Sequence, residues 1–289
     1  MNSIQRKQVF EVPIDLLKMA HSLRKNTYKI GFLVECAYFR VTKKFFQPKD
    51  YHKRDVEYAA NKLGVESKEI RFEEYQRSRI HQLRGVILNA YGFQHFDKEA
   101  ENTMTLEITE MVRAQFKPKL IFWQSVHALS EKRISLPGSH RLSEIILTCL
   151  NLRKRELATL IESNLTDETR ALLDHLFTQE HDPDFPNGSR YKLTLLKRLS
   201  QSTRPSKIKE RARDLFYLKE LYGHLEPILP ILNLGREGIR FYAKGVVKAD
   251  IHHLTQRSEE DRYVHVIVFI VHQYYSLQDN LTDVLLTVI

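Results

Sequence analysis

The stretch YKIGFLVECAYFRVTKKFF, Tyr28 to Phe46, decides the fold class, because its apolar residues recur at the spacing of an α-helix. The apolar stripe is formed by Ile30, Leu33, Val34, Ala37, Tyr38, Val41 and Phe45. The cations Lys29, Arg40, Lys43 and Lys44 fall largely away from that stripe. The stretch therefore predicts an amphipathic helix that buries one face in a core and presents lysine and arginine on the other.

The same periodicity continues along most of the 289 residues. Two further helices in the first third are expected to end at Gly64 and Gly92, since glycine favours the left-handed conformation that closes a helix. The β-branched run Val264 to Val271 is interpreted as helix, because the pattern around it continues without a turn signal. With only 10 glycines and 9 prolines in the chain, turns are few. The sequence predicts an all-α fold of consecutive small helical bundles with helix-turn-helix-like units.

The polar segment TQEHDPDFPNGSR, Thr178 to Arg190, is the strongest predicted boundary, because it combines two prolines, a glycine and several charges. Three domains are predicted on this basis. They are a first helical DNA-binding domain at 1–97, a second at 98–178 and a helical linker domain at 190–289. The apolar helical pattern still runs at Ile289, which favours a linker domain truncated at its C-terminal end.

The net charge of +9 directs attention to an anionic partner. Between Arg24 and Arg84 there are 15 lysines and arginines against 8 aspartates and glutamates. Nucleic acid is the first candidate partner and an anionic membrane surface the second, while a merely solvated helical surface is the alternative. The longest apolar run, Val266 to Val271, is too short to span a bilayer. Cys36 and Cys149 are predicted to be buried thiols in a reducing cytosol.

Motifs of catalysis and cofactor binding are missing from the sequence. It contains no glycine-rich phosphate loop, no G-x-S-x-G and no H-E-x-x-H. His265 and His272 can share a helix face, but no cysteine or carboxylate completes a metal ligand set. Asp279 and Asp283 are predicted to lie on a solvent-facing helix surface. The residues therefore predict neither an active site nor a cofactor in this chain.

A series of segments in a fixed order resembles the N-terminal part of the replicative transposases of class II transposons, the Tn-three type. These segments are VFEVP, NTYKIGFLVECAYFR, DVEYAANKLGV, YQRSRIHQLRGVILNAYGFQHF, ISLPGSHRLSEII and HQYYSLQDNLTDVLLTVI. Together they span nearly the whole chain.

This resemblance implies an all-helical region that binds the terminal inverted repeats of a transposon as double-stranded DNA. In that family an Asp-Asp-Glu set holds two Mg²⁺ ions for strand transfer, and it lies in the carboxy-terminal part, beyond Ile289. The chain is therefore expected to recognise DNA ends in transposition without being an enzyme itself, and without a cofactor or metal of its own. A bacterial cytoplasmic, nucleoid-associated location and self-association of the full-length protein are also expected, with no membrane contact.

The stretch SVHALSEKRISLPGSHRLSEIIL, Ser125 to Leu147, predicts two helices joined by a basic turn that is longer than an ordinary helix-turn-helix connection. Ser139 is predicted to cap the second helix, where exposed amides suit a phosphate. Arg141 is placed to reach a guanine edge, and Lys132 and Arg133 to hold the DNA backbone. The predicted DNA-binding residues are Lys29, Arg40, Lys43, Lys44, Lys53, Arg54, Lys132, Arg133, Ser139, His140 and Arg141.

Two other functions remain open at this level. A helical protein-interaction module without nucleic-acid specificity would account for the aromatic content of 10% and the apolar end of the chain. A non-specific RNA binder would use the same positive charge, although no aromatic-rich strand of the kind found in RNA-recognition domains is present.

Overall fold

The protein is described by a computed structural model that covers residues 3–66, 72, 77–181, 189–197 and 202–288. Within these ranges the chain is helical except for one short hairpin and the connecting turns, which confirms the all-α prediction. The longer helices are α1 (Ser3–Val9), α2 (Ile14–Ser22), α3 (Asn26–Thr42), α4 (Lys53–Leu63), α5 (Arg77–Tyr91), α6 (Lys98–Arg113), α7 (Pro118–Glu131), α8 (Ser139–Asn164), α9 (Asp167–His175), α11 (Pro205–Leu225), α13 (Arg236–Lys248) and α15 (Glu259–Val288). Shorter elements are a 3₁₀ turn (Pro48–Asp50), β1 (Gln179–His181), β2 (Ser189–Tyr191), α10 (Lys192–Leu196), α12 (Leu229–Leu232) and α14 (Ile251–Thr255).

The chain divides into two compact units. The first unit comprises Met1–Met111 and Lys117–Cys149, and the second comprises Val112–Phe116 and Leu150–Ile289. The division predicted from the sequence, at 1–97, 98–178 and 190–289, places its boundaries elsewhere and stays a prediction.

The core of the first unit is built around α3, against which α2, α4 and α5 pack. Val41, predicted to lie on the buried stripe, is 59% exposed, so that part of the prediction is wrong. Phe32, Cys36 and Phe39 are fully buried instead, although they lie off the predicted stripe. Helix α3 is therefore covered on more sides than an amphipathic surface helix, because the helices around it reach beyond one face.

An ion pair lies inside this core. Glu35 of α3 is 2% exposed, and its Oε1 accepts a hydrogen bond of 2.8 Å from Nε of Arg84 in α5. The Arg84 guanidinium also donates to the carbonyl of Phe46 at 2.7 Å and lies 4.9 Å from the ring centroid of Phe45. Burial raises the pKa of Glu35 to about 7, and the charge and hydrogen bond of Arg84 oppose that rise. Arg84 thus ties α3, α5 and the segment after α3 together.

The second unit is organised by α15, which packs on α13 and α11. Its run from Tyr263 to Val271 is buried throughout, which confirms that the β-branched residues form a helix and not a strand. A helix that is apolar on all sides belongs in the centre of a domain. Asp279 and Asp283 lie on the exposed side of α15, as predicted.

The two histidines considered as metal ligands have other surroundings. His265 is buried, with Nδ1 3.3 Å from the carbonyl oxygen of Tyr242. His272 has its Nδ1 3.4 Å from the hydroxyl of Ser276. Burial lowers the pKa of both imidazoles. Within the described ranges no three histidine, cysteine, aspartate or glutamate side chains come together as a metal site.

The polar segment predicted as a boundary has strands at its two ends. Gln179–His181 pairs antiparallel with Ser189–Tyr191, with Glu180 opposite Arg190. Both strands belong to the second unit. Asp182 and Asp184, part of the same segment, lie outside the described residues.

Two further predictions from the sequence concern the cysteines and the helices that could cross a membrane. Cys36 and Cys149 are both free and buried. None of the helices that the structure describes has the length and apolar character needed to cross a membrane.

In the second unit the side chain of Gln115 caps the start of α13. Its Oε1 accepts hydrogen bonds from the backbone amides of Gly235 and Gly238, at 2.8 and 3.1 Å, and its Nε2 donates to the carbonyl of Asn233 at 3.0 Å. The first amides of a helix have no partner inside it, so this remote amide takes the place of a capping serine or aspartate. The contact requires glycine, since a Cβ at Gly238 would lie 2.8 Å from Cδ of Gln115.

Substituting Gly238→Ala is therefore expected to destabilise the second unit by about 1–2 kcal/mol, because the cap is displaced. In a Gln115→Ala background the same substitution is expected to stabilise it by up to about 1 kcal/mol, since alanine is the better helix former. Chemical denaturation followed by circular dichroism measures both changes. A destabilisation of equal size in the two backgrounds would show that Gln115 does not determine the need for glycine.

Candidate nucleic-acid interface

Lys43 ends helix α3 in a conformation that most residues avoid. Its φ of 55° lies in the left-handed region, and its amide donates to the carbonyl of Phe39 at 2.9 Å. Its Nζ donates to the carbonyl of Arg40 at 2.6 Å. Glycine is the usual residue at such a helix end, because a β-carbon there costs about 1–2 kcal/mol.

Arg133 ends helix α7 in the same way. Its φ is 54°. Its amide donates a hydrogen bond to the carbonyl of Ser130, and the amide of Ile134 donates to the carbonyl of Leu129 at 2.9 Å. This pair of bonds is a Schellman closure, which glycine normally provides. Two basic residues thus stand at two left-handed helix ends, where glycine would be less strained, and Gln115 and Asn233 also adopt this conformation.

The segment after α7 brings these two helix ends together. The amide of Leu136 donates to the carbonyl of Lys43 at 2.8 Å. The amide of Gln94 donates to the carbonyl of Arg133 at 2.7 Å, and that of Ser135 returns a bond to the carbonyl of Gln94 at 2.9 Å. Ser135 is buried between its neighbours. Two isolated parallel bridges, Lys44 to Leu136 and Gln94 to Ile134, therefore fix both helix ends to one segment.

Phe93 lies under the two cations. The centroid of its ring is 5.6 Å from Nζ of Lys43 and 5.5 Å from Cζ of Arg133. Burial lowers the pKa of Lys43, and the charges of Arg133 and Arg40 lower it further. We call Arg40, Lys43, Arg133 and Phe93 the Phe93 cluster.

No carboxylate in the described part of the chain forms an ion pair with Lys43, Lys44 or Arg133. Lys44 follows directly in the chain, with Nζ 5.2 Å from the ring centroid of Phe46. Like charges held close together without a counter-ion attract an external anion. The Phe93 cluster is therefore the strongest candidate for contact with a phosphate.

Arg40 has a structural task inside this cluster. Its Nη1 donates to the carbonyls of Gln8 and Glu11, at 2.7 and 2.5 Å. These bonds hold the segment after α1 against the end of α3. Arg40 thus adds positive charge to the cluster, while its Nη1 stabilises the fold through these two hydrogen bonds.

Three other predicted phosphate contacts lie elsewhere on the first unit. Lys29 is half-buried in the first turns of α3, on the same helix as Lys43 but about 20 Å away along its axis. Lys53 and Arg54 are exposed in the first turn of α4. They have no place in the Phe93 cluster, and their DNA contacts stay a prediction.

The start of α8 differs from the prediction at its cap. Gly138, not Ser139, occupies the capping position, since its carbonyl accepts the first helical bond from Leu142 at 3.1 Å. Ser139 is the first helical residue and is exposed. His140 is exposed as well, with Nδ1 3.4 Å from a carboxylate oxygen of Glu144.

Arg141 and Lys132 are held by acids of α6. Arg141 donates from Nη2 and Nε to the two carboxylate oxygens of Glu101, at 2.8 and 3.0 Å. These bonds, with one from Lys98, lower the pKa of Glu101 to about 2. Lys132 is paired with Glu107. Arg141 must release Glu101 before it can read a guanine, so the base-reading prediction for it has less geometric support than the phosphate contacts of Lys43 and Arg133.

The predicted DNA-binding cations thus fall into two groups. The fold brings Arg40, Lys43, Lys44 and Arg133 together. The others lie elsewhere on the first unit, as Lys29, Lys53 and Arg54 do, or are paired with acids, as Lys132 and Arg141 are. Phe93 could not be identified as a site residue from the sequence, because an aromatic residue after a glycine that ends a helix is typical of the hydrophobic core. The left-handed conformations of Lys43 and Arg133 were also missed. One signal of these conformations was available: glycine is missing at the ends of two helical patterns, whereas most helices with a left-handed end carry glycine there.

The fold and this surface define a helical protein with a cluster of cations on its first unit. Residues 3–149 match the family described as a domain of unknown function, DUF4158, and the chain belongs to that family. The match ends at Cys149, where the first compact unit also ends. No curated protein matches the chain.

Proposed function

We propose that this chain is the DNA-binding N-terminal part of a transposase and recognises the terminal inverted repeats of a transposon. One observation carries the proposal: the fold gathers Lys43 and Arg133, from segments 90 positions apart in the sequence, into one cluster with no counter-ion among the described residues. Cations that lie over a buried ring and pair with no described acid are better placed to bind the phosphate backbone of a polyanion than to stabilise a core.

In this proposal Lys43 and Arg133 of the Phe93 cluster contact DNA phosphates together with Lys44, and Lys29, Lys53 and Arg54 extend the contact. Phosphate contacts fix the position of the protein on the duplex, whereas base edges determine the sequence that is read. Strand cleavage and its Mg²⁺ ions belong to residues outside this chain, and the protein acts in the bacterial cytoplasm at the nucleoid.

Titration of a fluorescent inverted-repeat duplex at several salt concentrations tests the proposal. We expect the logarithm of the association constant to fall linearly with the logarithm of the salt concentration, with a slope of about −0.9 for each phosphate contacted. A scrambled duplex of equal length is expected to bind more weakly. A flat salt response would exclude DNA binding through these cations, and equal affinity for a structured RNA would favour a non-specific RNA binder.

The protein-interaction alternative has one observation of its own. Leu285 and Leu286, near the end of α15, are 51% and 69% exposed. Exposed leucines in neighbouring positions suit a contact with another protein surface. Light scattering of Leu285→Ser and Leu286→Ser variants without DNA measures whether self-association depends on these residues.

A further inference from the structure

The outer surface of α11, in the second unit, alternates cations and aromatic rings. Arg213, Phe216, Lys219 and Tyr222 follow one another at intervals of three residues, so they form one ridge that winds around the helix and ends at Tyr222 against α15. Phe216 is 73% exposed, more than any other large apolar side chain of the described residues. Arg213, Phe216 and Lys219 therefore form an exposed surface, and Tyr222 is partly buried.

The cations of this ridge are free of counter-ions. Arg213 and Lys219 are exposed, as is Lys209 one turn before Arg213, and none of the three forms an ion pair in the described ranges. The neighbouring acids Glu210 and Asp214 are paired with Lys207 and Arg211, at 2.9 and 3.1 Å. Glu220 is the exposed acid on this side of the helix. The surface therefore keeps a net positive charge.

At Tyr222 the ridge meets two further tyrosine rings, Tyr274 and Tyr275. Tyr222 stacks on Tyr274 with centroids 4.9 Å apart, and its hydroxyl lies 3.0 Å from that of Tyr275. Tyr275 is 49% exposed. The hydrogen bond between the two hydroxyls raises the pKa of Tyr222 to about 12.

We infer that this ridge binds single-stranded nucleic acid, with Lys209, Arg213 and Lys219 on phosphates and with Phe216 and Tyr275 stacked on bases. Charge complementarity selects a polyanion as the occupant. The exposed rings select a single strand, because stacking on a protein ring requires bases that are not stacked inside a duplex. The ridge lies in the second unit, beyond the residues matched to the family, and the inference does not depend on the duplex site.

Fluorescence anisotropy of an oligothymidylate of about 15 nucleotides with the full chain tests this inference. Phe216→Ala is expected to weaken binding by about 5- to 100-fold, as loss of a stacked base does elsewhere. Joint substitution of Lys209, Arg213 and Lys219 by alanine is expected to reduce the salt slope by about 2. Phe241→Ala, which removes another ring that is 46% exposed in the same unit, is the matched control and should change little.

The same titration in a Lys43→Gly, Arg133→Gly background separates this site from the duplex site. Unchanged oligothymidylate affinity there, together with loss in Phe216→Ala, supports the inference even if the duplex proposal fails. Absence of oligothymidylate binding, or equal losses in Phe216→Ala and Phe241→Ala, would overturn it. Self-association that Phe216→Ala abolishes, without oligothymidylate binding, would assign the ridge to a contact between copies and would also overturn it.

Discussion

A chain carrying both Lys43→Gly and Arg133→Gly is expected to lose about two units of salt slope on inverted-repeat DNA. We expect the stability of the first unit to stay the same or to rise by up to about 2 kcal/mol per site. Glycine relieves the left-handed strain, which is worth about 1–2 kcal/mol, while loss of a charge at a helix end costs about 0.3–1 kcal/mol. Anisotropy at several salt concentrations measures the slope, and denaturation measures the stability.

Alanine at the same two positions is the matched control. It removes the charges and keeps the β-carbons, so we expect the same loss of slope with a less stable first unit than the glycine variant. If the glycine variant binds DNA with the wild-type slope, the two cations serve only as helix ends. In that event the proposal loses the observation that carries it.

The substitution Arg84→Met is expected to destabilise the first unit by about 3–5 kcal/mol, because it leaves Glu35 buried without its partner. The hydroxyl of Tyr51 also lowers the pKa of Glu35, but one neutral hydrogen bond compensates only part of a buried charge. Trp123, the only tryptophan of the chain, lies in the first unit and reports its unfolding by fluorescence. Glu35→Gln combined with Arg84→Met removes the buried charge and is expected to recover part of the loss.

The same pair predicts how stability depends on pH. The pKa of Glu35 is raised to about 7 in the folded protein, from an ordinary value of 4.5. The folded state therefore binds this proton more tightly than the unfolded state, and the stabilisation is fully present below pH 4.5 and lost as the pH rises through about 7. Arg84→Met should extend this fall to higher pH, because the pKa of Glu35 rises further without Arg84, and Glu35→Gln should flatten it. An identical pH profile in all three chains would contradict the assignment to Glu35.

Local signals in the sequence predicted most of the helical architecture. Gly64 and Gly92 end α4 and α5 with positive φ values of 64° and 67°, as expected of glycine stops. Thr166 caps α9 through its side chain, which accepts from the amide of Thr169. The run from Val264 to Val271 is helical because uninterrupted apolar periodicity outweighs β-branched propensity in a buried element.

Long-range contacts account for the predictions that failed. Val41 carries the right spacing for a buried stripe, but its face of α3 is not covered by another helix. Ser139 has a favoured capping side chain, yet the capping position lies one residue earlier, at Gly138, and Ser139 is the first residue of α8. The prediction that Arg141 reaches a guanine edge stays a prediction, and Glu101, 40 positions earlier, holds its side chain.

The sequence by itself determined that the chain is helical, carries an excess of positive charge in its first third and buries both cysteines. Those properties follow from side-chain periodicity and composition, which act within a few turns of the chain. Only the tertiary structure decided which cations are available, because ion pairing depends on residues far apart in the sequence. It pairs Lys132 and Arg141 with acids of α6, and it places Lys43 and Arg133 over Phe93, where no acid of the described ranges pairs with them.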